Sequence, residues 1–312
     1  MLRIDDRAKT RRTARPKGTR TPLARAEARN FYLFLSPWLI GLVVFTGGPI
    51  LASVGISFTD WSLLSDPSFI GFDNYTRMFT DELLLSSVWV TLYFGVGATL
   101  ASVAATFFIA ILLNQKVRGV GIFRAIFYIP AVVAGVGTAL LWTNLLHPDY
   151  GLVNLVLGWA GIQGPGWLTS TSWAIPGLII MSVWGAGNTV VIYLAALQNV
   201  SVTLYEAATI DGAGWWGRTW HVTIPMMSPV IFFNMITGFI GSLQAYALIL
   251  IMTDGGPENS TMVLGLYIYR QAFNYFDLGY ASALSVGLFA LILVITAIQF
   301  AAARRWVHYE AK

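Results

Sequence analysis

Residues able to do chemistry are few and scattered in this 312-residue chain, apart from one stretch. Cysteine is absent, which excludes a disulfide framework and a thiolate metal site. The three histidines, His147, His221 and His308, fall in different loops or tails and form no metal-ligand cluster. None of the four lysines, Lys9, Lys17, Lys116 and Lys312, follows a glycine, so no Walker A loop is available to cradle a nucleotide phosphate. No HExxH or GxSxG pattern stands out. An enzyme reading has no chemistry to attach to. The dense stretch is Asn199–Pro229, NVSVTLYEAATIDGAGWWGRTWHVTIPMMSP. Thr203-x-x-Glu206 has the form of a capping box, which predicts a short helix starting at Leu204. Gly212 can end it in the left-handed conformation. A second helical segment then carries Trp215, Trp216 and Trp220, and Pro225 and Pro229 terminate it. A helix–turn–helix with small residues and tryptophans suits a protein groove or a membrane interface.

The elements that must hold this loop are membrane helices. Hydrophobic residues make up 56% of the chain and charged residues 11%, with a mean hydropathy of +0.66. A soluble domain carries about 25% charged residues. A bilayer core about 30 Å thick needs about 20 apolar residues of helix. Six stretches qualify: approximately 31–58, 86–113, 121–145, 173–197, 230–252 and 280–303. The fold class is therefore all-α, with six transmembrane helices in a domain covering 31–312. Their Gly and Pro residues are tolerated where neighbouring helices satisfy the freed backbone groups. No cleavable signal peptide precedes them, because the first apolar stretch runs too long.

Charge orients the spans. Residues 1–30 hold ten Lys/Arg against Asp5, Asp6 and Glu27, a net +7. This tail reads as disordered and basic, touching anionic lipid headgroups rather than nucleic acid. The 114–124 region adds Lys116, Arg118 and Arg124, the long loop adds Arg218, and the C-terminus adds Arg304, Arg305 and Lys312. Only Arg77 and Arg270 fall on the other side, which also holds most of the acids. The positive-inside rule then predicts that both termini and the 199–229 loop are cytoplasmic. No Asp, Glu, Lys or Arg lies deep within a span, which suits a neutral, hydroxyl-rich solute better than a proton-coupled carrier or voltage sensor.

Glu206-Ala207-Ala208, three residues, Gly212, nine residues, then Val222-Thr223-Ile224-Pro225 resembles the EAA loop of ABC-importer permeases, and Asp211-Gly212-Ala213 strengthens the likeness. The flanks resemble carbohydrate-importer permeases of the maltose and glycerol-3-phosphate type. They include Ala195-Ala196-Leu197-Gln198, Thr253-Asp254-Gly255-Gly256-Pro257, Tyr269-Arg270-Gln271-Ala272-Phe273, Gly279-Tyr280-Ala281-Ser282-Ala283, and Phe69-Ile70-Gly71-Phe72-Asp73-Asn74-Tyr75. The resemblance covers nearly everything after residue 30.

This resemblance implies a permease subunit of an ATP-driven importer of a sugar, oligosaccharide or related polyol derivative, in a bacterial or archaeal plasma membrane. The 199–229 loop would dock on an ATPase subunit through Glu206, Ala207, Ala208, Asp211, Gly212, Ala213, Ile224 and Pro225. The expected partners are a second homologous permease, two copies of the ATPase (which would hold ATP and Mg), an extracytoplasmic solute-binding protein and membrane lipid. This chain itself would bind no cofactor, metal or nucleic acid. Polar span residues Asn188, Tyr193, Asn234, Gln244 and Tyr246 are the candidate substrate pathway. Relatives often carry an acidic residue near the position of Ala247, which this chain lacks. The rival reading is a stand-alone secondary carrier or channel for a neutral solute, which would not need the loop.

Overall fold

A computed structural model of the chain describes residues 22–62, 65–115, 118–133 and 135–308. The chain divides into two units, residues 1–52 and 53–312. In the first, α1 (Pro22–Leu42) passes through a π-helical turn at Val43–Gly47 into α2 (Gly48–Ile56). Residues 22–30 are therefore helical and not part of an unstructured tail. The segment opens with Pro at the first helical position and continues with Leu, Ala, Arg and Glu, all strong helix formers. The rest of the predicted tail lies outside the described residues.

The second unit begins within the last turn of α2, followed by a short antiparallel hairpin, β1 (Thr59–Asp60) on β2 (Ser68–Phe69), and α3 (Asp73–Met78). Then come α4 (Glu82–Leu113), α5 (Val120–Val132), α6 (Gly135–Leu145), α7 (Leu152–Trp159), α8 (Ala174–Trp184) and α9 (Gly187–Gln198). The long loop contributes α10 (Val202–Ile210) and α11 (Trp215–Arg218), and α12 (Ile224–Leu243), α13 (Ala247–Met252), α14 (Leu264–Phe273) and α15 (Leu278–Ala303) complete the chain. Four helices are long and apolar enough to cross a membrane unbroken: 26–56, 82–113, 215–243 and 278–303. Counting α5 with α6 and α8 with α9 as broken spans gives six.

The fifth span differs from its expected bounds. It starts at Trp215, because α11 runs through a π-helical turn at Thr219–Thr223 straight into α12. Pro225 and Pro229 do not end a helix. Pro225 follows directly on the π-helical turn, where the helical bonding is already shifted, and Pro229 is carried inside the helix. The expected span to residue 252 instead breaks at Gln244–Tyr246, and α13 follows as a separate helix.

Helix α4 is the axis of the second unit. Its N-terminal half (Leu84, Phe94, Ala98) joins a core with residues of α6, α8, α12, α13, α14 and α15, among them Trp142, Leu178, Leu243, Ile249, Leu266 and Leu284. Its other end (Ala110, Leu113) joins a smaller core with Val190, Tyr193, Leu194 and Leu197 of α9 and Met227 of α12. Helices without a hydrophobic drive between them associate through small residues and close packing. The α4–α12 crossing follows that rule. A methyl group on Gly238 would lie 3.1 Å from Thr99 Cγ2, and one on Gly95 would lie 3.0 Å from Leu243 Cδ2. Ser242 Oγ lies 3.1 Å from Thr99 Oγ1 and donates to Gly238 O (2.8 Å).

At the opposite end of α4 from the 199–229 loop, Asp81 caps the helix by accepting from Leu84 N (3.0 Å). Its other carboxylate oxygen accepts from the hydroxyls of Tyr267 (2.6 Å) and Tyr280 (2.6 Å), which joins α4 to α14 and α15. Gln271 Nε2 in turn donates to the Tyr267 hydroxyl (2.8 Å). Burial pushes the Asp81 carboxyl up, but the two tyrosine hydroxyls and the backbone amides of Leu84 and Leu83 outweigh it and hold the carboxyl below its usual range. Burial and Asp81 push the Tyr267 hydroxyl above its ordinary value.

Two outcomes are expected. Asp81→Asn removes a charged acceptor of three hydrogen bonds and should cost about 1–3 kcal/mol, read as a lowered unfolding temperature in detergent. With its folded-state pKa depressed, Asp81 contributes its full stabilisation above the ordinary carboxylate range and loses it as pH falls through the folded value. The wild-type chain should therefore lose stability more steeply on acidification than Asp81→Asn. At the crossing, Gly238→Leu should destabilise by about 1–3 kcal/mol through overpacking, and Gly241→Leu, with nothing within 4 Å of the added carbon, should leave the unfolding temperature near wild type.

Candidate functional site

Two features of the sequence-based reading can be located in the fold: the loop and the polar path through the spans. In the loop, α10 begins at Val202, two residues before the expected start, and no side chain caps it. The capping box does not form. Thr203 Oγ1 instead bonds Ser201 Oγ (2.7 Å), so it offers nothing to the backbone of Glu206. The Glu206 carboxylate is exposed and has no hydrogen bond or ion pair among the described residues. The expected C-terminal stop is present in full. Gly212 has φ +80, its N–H donates to Thr209 O (3.0 Å), and Ala213 N–H donates to Ala208 O (2.9 Å). These paired bonds are the Schellman arrangement, and they use the carbonyl of the second alanine of Glu-Ala-Ala.

The turn packs α10 back on the helix that follows. Tyr205 OH lies 3.2 Å from Thr223 Oγ1, and Arg218 Nη1 donates to Thr209 Oγ1 (3.3 Å). Tyr205, Glu206, Thr209, Ile210 and Arg218 line one concave patch. Ile210 is 86% exposed beside it, and Trp216 and Trp220 are also exposed. Asp211 and Ala207 are exposed as well, whereas Ala208, Ala213, Ile224 and Pro225 are half-buried. The hairpin is thus braced from behind by Tyr205 and Arg218, while a hydrophobic and acidic face is left open.

Within the spans, a cavity of about 400 Å³ lies beside α4, between its two cores. Three helix breaks meet there. Val133 and Gly135 flank the α5–α6 break, Gly185 and Ala186 form the α8–α9 break with its 49° bend, and Ala245 sits in the α12–α13 break. Irregular backbone at membrane depth is tolerated where it lines a cavity, and these three breaks do so. Thr99, Ser102, Ser182, Thr189 and Ser242 line it, and none of the lining residues among those described carries a charge.

The five proposed pathway residues separate. Asn234 lines the cavity, is buried, and uses its Nδ2 to donate to Val230 O (2.8 Å), leaving the amide oxygen as an acceptor. Tyr193 does not line it. Its ring is fully buried in the smaller core, 5.4 Å edge-on from Phe107. Asn188 is exposed on the first turn of α9, and its neighbour Thr189 faces the cavity instead. Gln244 and Tyr246 are exposed on either side of the lining residue Ala245, with Tyr246 stacked on Tyr269 at 5.7 Å. None of the hydroxyl residues lining the cavity is among the five sequence candidates. On α4, Thr99 and Ser102 belong to a set with Ser87, Thr91 and Thr106, and that recurrence of hydroxyls is the signal the sequence offers.

The profile of the family described as binding-protein-dependent transport system inner membrane component matches residues 97–308. The probable ABC transporter permease protein YesP of Bacillus subtilis (strain 168) is 37% identical over 286 residues, covering 90% of this chain and 92% of its own. The lactose transport system permease protein LacF of Rhizobium radiobacter is 36% identical over 294 residues, covering 92% and 98%. A chain of the bacterial alginate ABC transporter, solved in complex with an alginate pentasaccharide-bound periplasmic protein, superposes with a TM-score of 0.80 at 24% identity, over 92% of this chain and 98% of that one, a likeness of fold. Breaks, cavity and exposed loop thus sit on the same scaffold as these relatives, and the chain belongs to the inner membrane components of binding-protein-dependent transport systems.

Proposed function

We propose that this chain is the permease subunit through which an ABC importer moves a neutral sugar or oligosaccharide across a bacterial or archaeal plasma membrane. The observation that carries the reading is one continuous helix. Residues 215–243 run from the exposed hairpin to the cavity, 29 residues in all, or roughly 43 Å at 1.5 Å per residue. A force on the hairpin acts on the same helix that presents Asn234, Gly238, Gly241 and Ser242 to the cavity.

The parts then have assignable roles. The ATP and Mg belong to two copies of a separate ATPase. Its cleft receives α10, with Glu206 meeting a basic group, and Ala207, Ala208 and Ala213 allow close approach. Asp211 and Gly212 form the turn, and Ile224 with Pro225 starts the stiff segment behind it. A second, similar permease completes the pathway, and a solute-binding protein delivers the sugar from outside. The distribution of Lys and Arg supports cytoplasmic termini and a cytoplasmic hairpin. The uncharged, hydroxyl-lined cavity supports a solute recognised by hydrogen bonds. Names of relatives such as the lactose permease support a sugar.

Affinity purification of the tagged chain in mild detergent should recover an ATPase and a second permease. Gly212→Asp should leave insertion intact yet abolish co-purification of the ATPase and sugar uptake. It should lower the unfolding temperature only modestly, because the left-handed φ of +80 strains any side chain by about 1–2 kcal/mol while nothing lies within 4 Å of the added carbon. Recovery of the chain alone under several detergents would favour the stand-alone carrier. For the pathway, Asn234→Leu should lower uptake by at least about tenfold, the equivalent of ~1.4 kcal/mol, while ATPase binding is retained. Unchanged uptake would take the cavity off the route.

A further inference from the structure

Helices α5 and α9 run antiparallel and touch closely at Gly187, where an added methyl group would collide with Phe127 O and lie 3.3 Å from Ala131 Cβ and Tyr128 Cα. Away from that contact they part. A cleft of about 240 Å³ opens between them, walled by Val190, Val191 and Leu194 and reaching Gln198 at the end of α9. Arg124 and Tyr128 of α5 form its other wall. Arg124 is half-buried one turn inside the start of α5, and among the described residues it is the only Lys or Arg on this wedge. Its guanidinium makes one hydrogen bond, Nη2 to Leu113 O at the end of α4 (3.0 Å), and its buried Nε has no partner. A cation with unanswered donors beside an apolar slot is poorly served by hydrocarbon and well served by an anionic acceptor.

We propose that this cleft is a binding site for one anionic phospholipid, its phosphate on Arg124 with Tyr128 and Gln198 beside it, and an acyl chain along Val190, Val191 and Leu194. Charge complementarity selects the occupant. The slot lies between spans at the level where α5 meets the polar loop, and a phospholipid supplies a phosphate at that depth together with a chain for the apolar wall. Neither the transported solute nor the docking hairpin uses this cleft, so the site stands apart from the transport reading. The proposed orientation bears only on the leaflet, which would be the cytoplasmic one. The lipid would also wedge α5 against α9 on the cytoplasmic side of the α5–α6 and α8–α9 breaks.

The test is native mass spectrometry of the delipidated full chain, titrated with phosphatidylglycerol or phosphatidylcholine of the same acyl chains. One basic residue near a membrane surface is worth about fivefold in binding of an anionic lipid. The wild-type chain should hold one phosphatidylglycerol with at least that preference over phosphatidylcholine. Arg124→Gln should abolish the preference, Arg124→Lys should retain most of it, and Arg118→Gln, an exposed change outside the cleft, should leave it unchanged. Ala195→Trp, which fills the slot from an exposed position on α9 and keeps the charge, should also displace the lipid; this variant keeps the test decisive if Arg124→Gln fails to fold. Equal binding of the two lipids by the wild-type chain, or a preference that survives in Ala195→Trp, overturns the proposal.

Discussion

The close crossing of α4 and α12 at Gly95, Thr99, Gly238 and Ser242 is the constraint on which the rest of the second unit depends. In lipid there is no hydrophobic force to press two apolar helices together, so glycine and hydroxyl surfaces must supply the approach. That approach gives α12 a fixed fulcrum on α4, and both helices contribute to both cores. The smaller core, with Met227 and Tyr193, steadies the root of the hairpin. The larger core, tied through Asp81 to α14 and α15, steadies the other end. Between them α4 carries few large side chains on its cavity face, and the chamber forms there.

The chamber itself follows from interrupted helices. A continuous span satisfies all its backbone groups and has nothing to offer a polar solute. Between α5 and α6, α8 and α9, and α12 and α13 the regular helix is interrupted, and Val133, Gly135, Gly185, Ala186 and Ala245 beside those interruptions gather around one space. Ser and Thr suit such walls. They bond back to their own helix, as Ser242 and Ser182 do, yet keep a hydroxyl lone pair for a ligand at little desolvation cost. A fixed charge there would bind too selectively and cost too much to bury.

Much of this was legible in the sequence, and the failures share a cause. Span existence and the loop's turn were readable because hydropathy and Gly212 report strong, local physics. The helix boundaries around 215–252 were not, because Pro225 and Pro229 are read as terminators in water, whereas in a bundle a π turn and neighbouring helices absorb them. The capping box at Thr203 was plausible locally, but Ser201 competes for the threonine hydroxyl. Tyr193 and Asn234 look alike as polar residues in spans. Only packing separates the one buried against Phe107 from the one facing the cavity. The tyrosine latch on Asp81 joins residues about 190 positions apart, a pairing that no local pattern encodes.

The central claim is that residues 215–243 move as one rod, so that the hairpin and the cavity wall shift together. The chain has no native cysteine, so paired spin labels can be placed cleanly at Trp220→Cys and Gly241→Cys, about 31 Å apart along an ideal helix, with a third position at Phe289→Cys on α15 as reference. In the assembled importer, trapping ATP should leave the 220–241 distance unchanged while the 241–289 distance shifts. A change confined to the 220–241 distance, with 241–289 constant, would mean that the hairpin bends without moving the cavity, and would contradict the account.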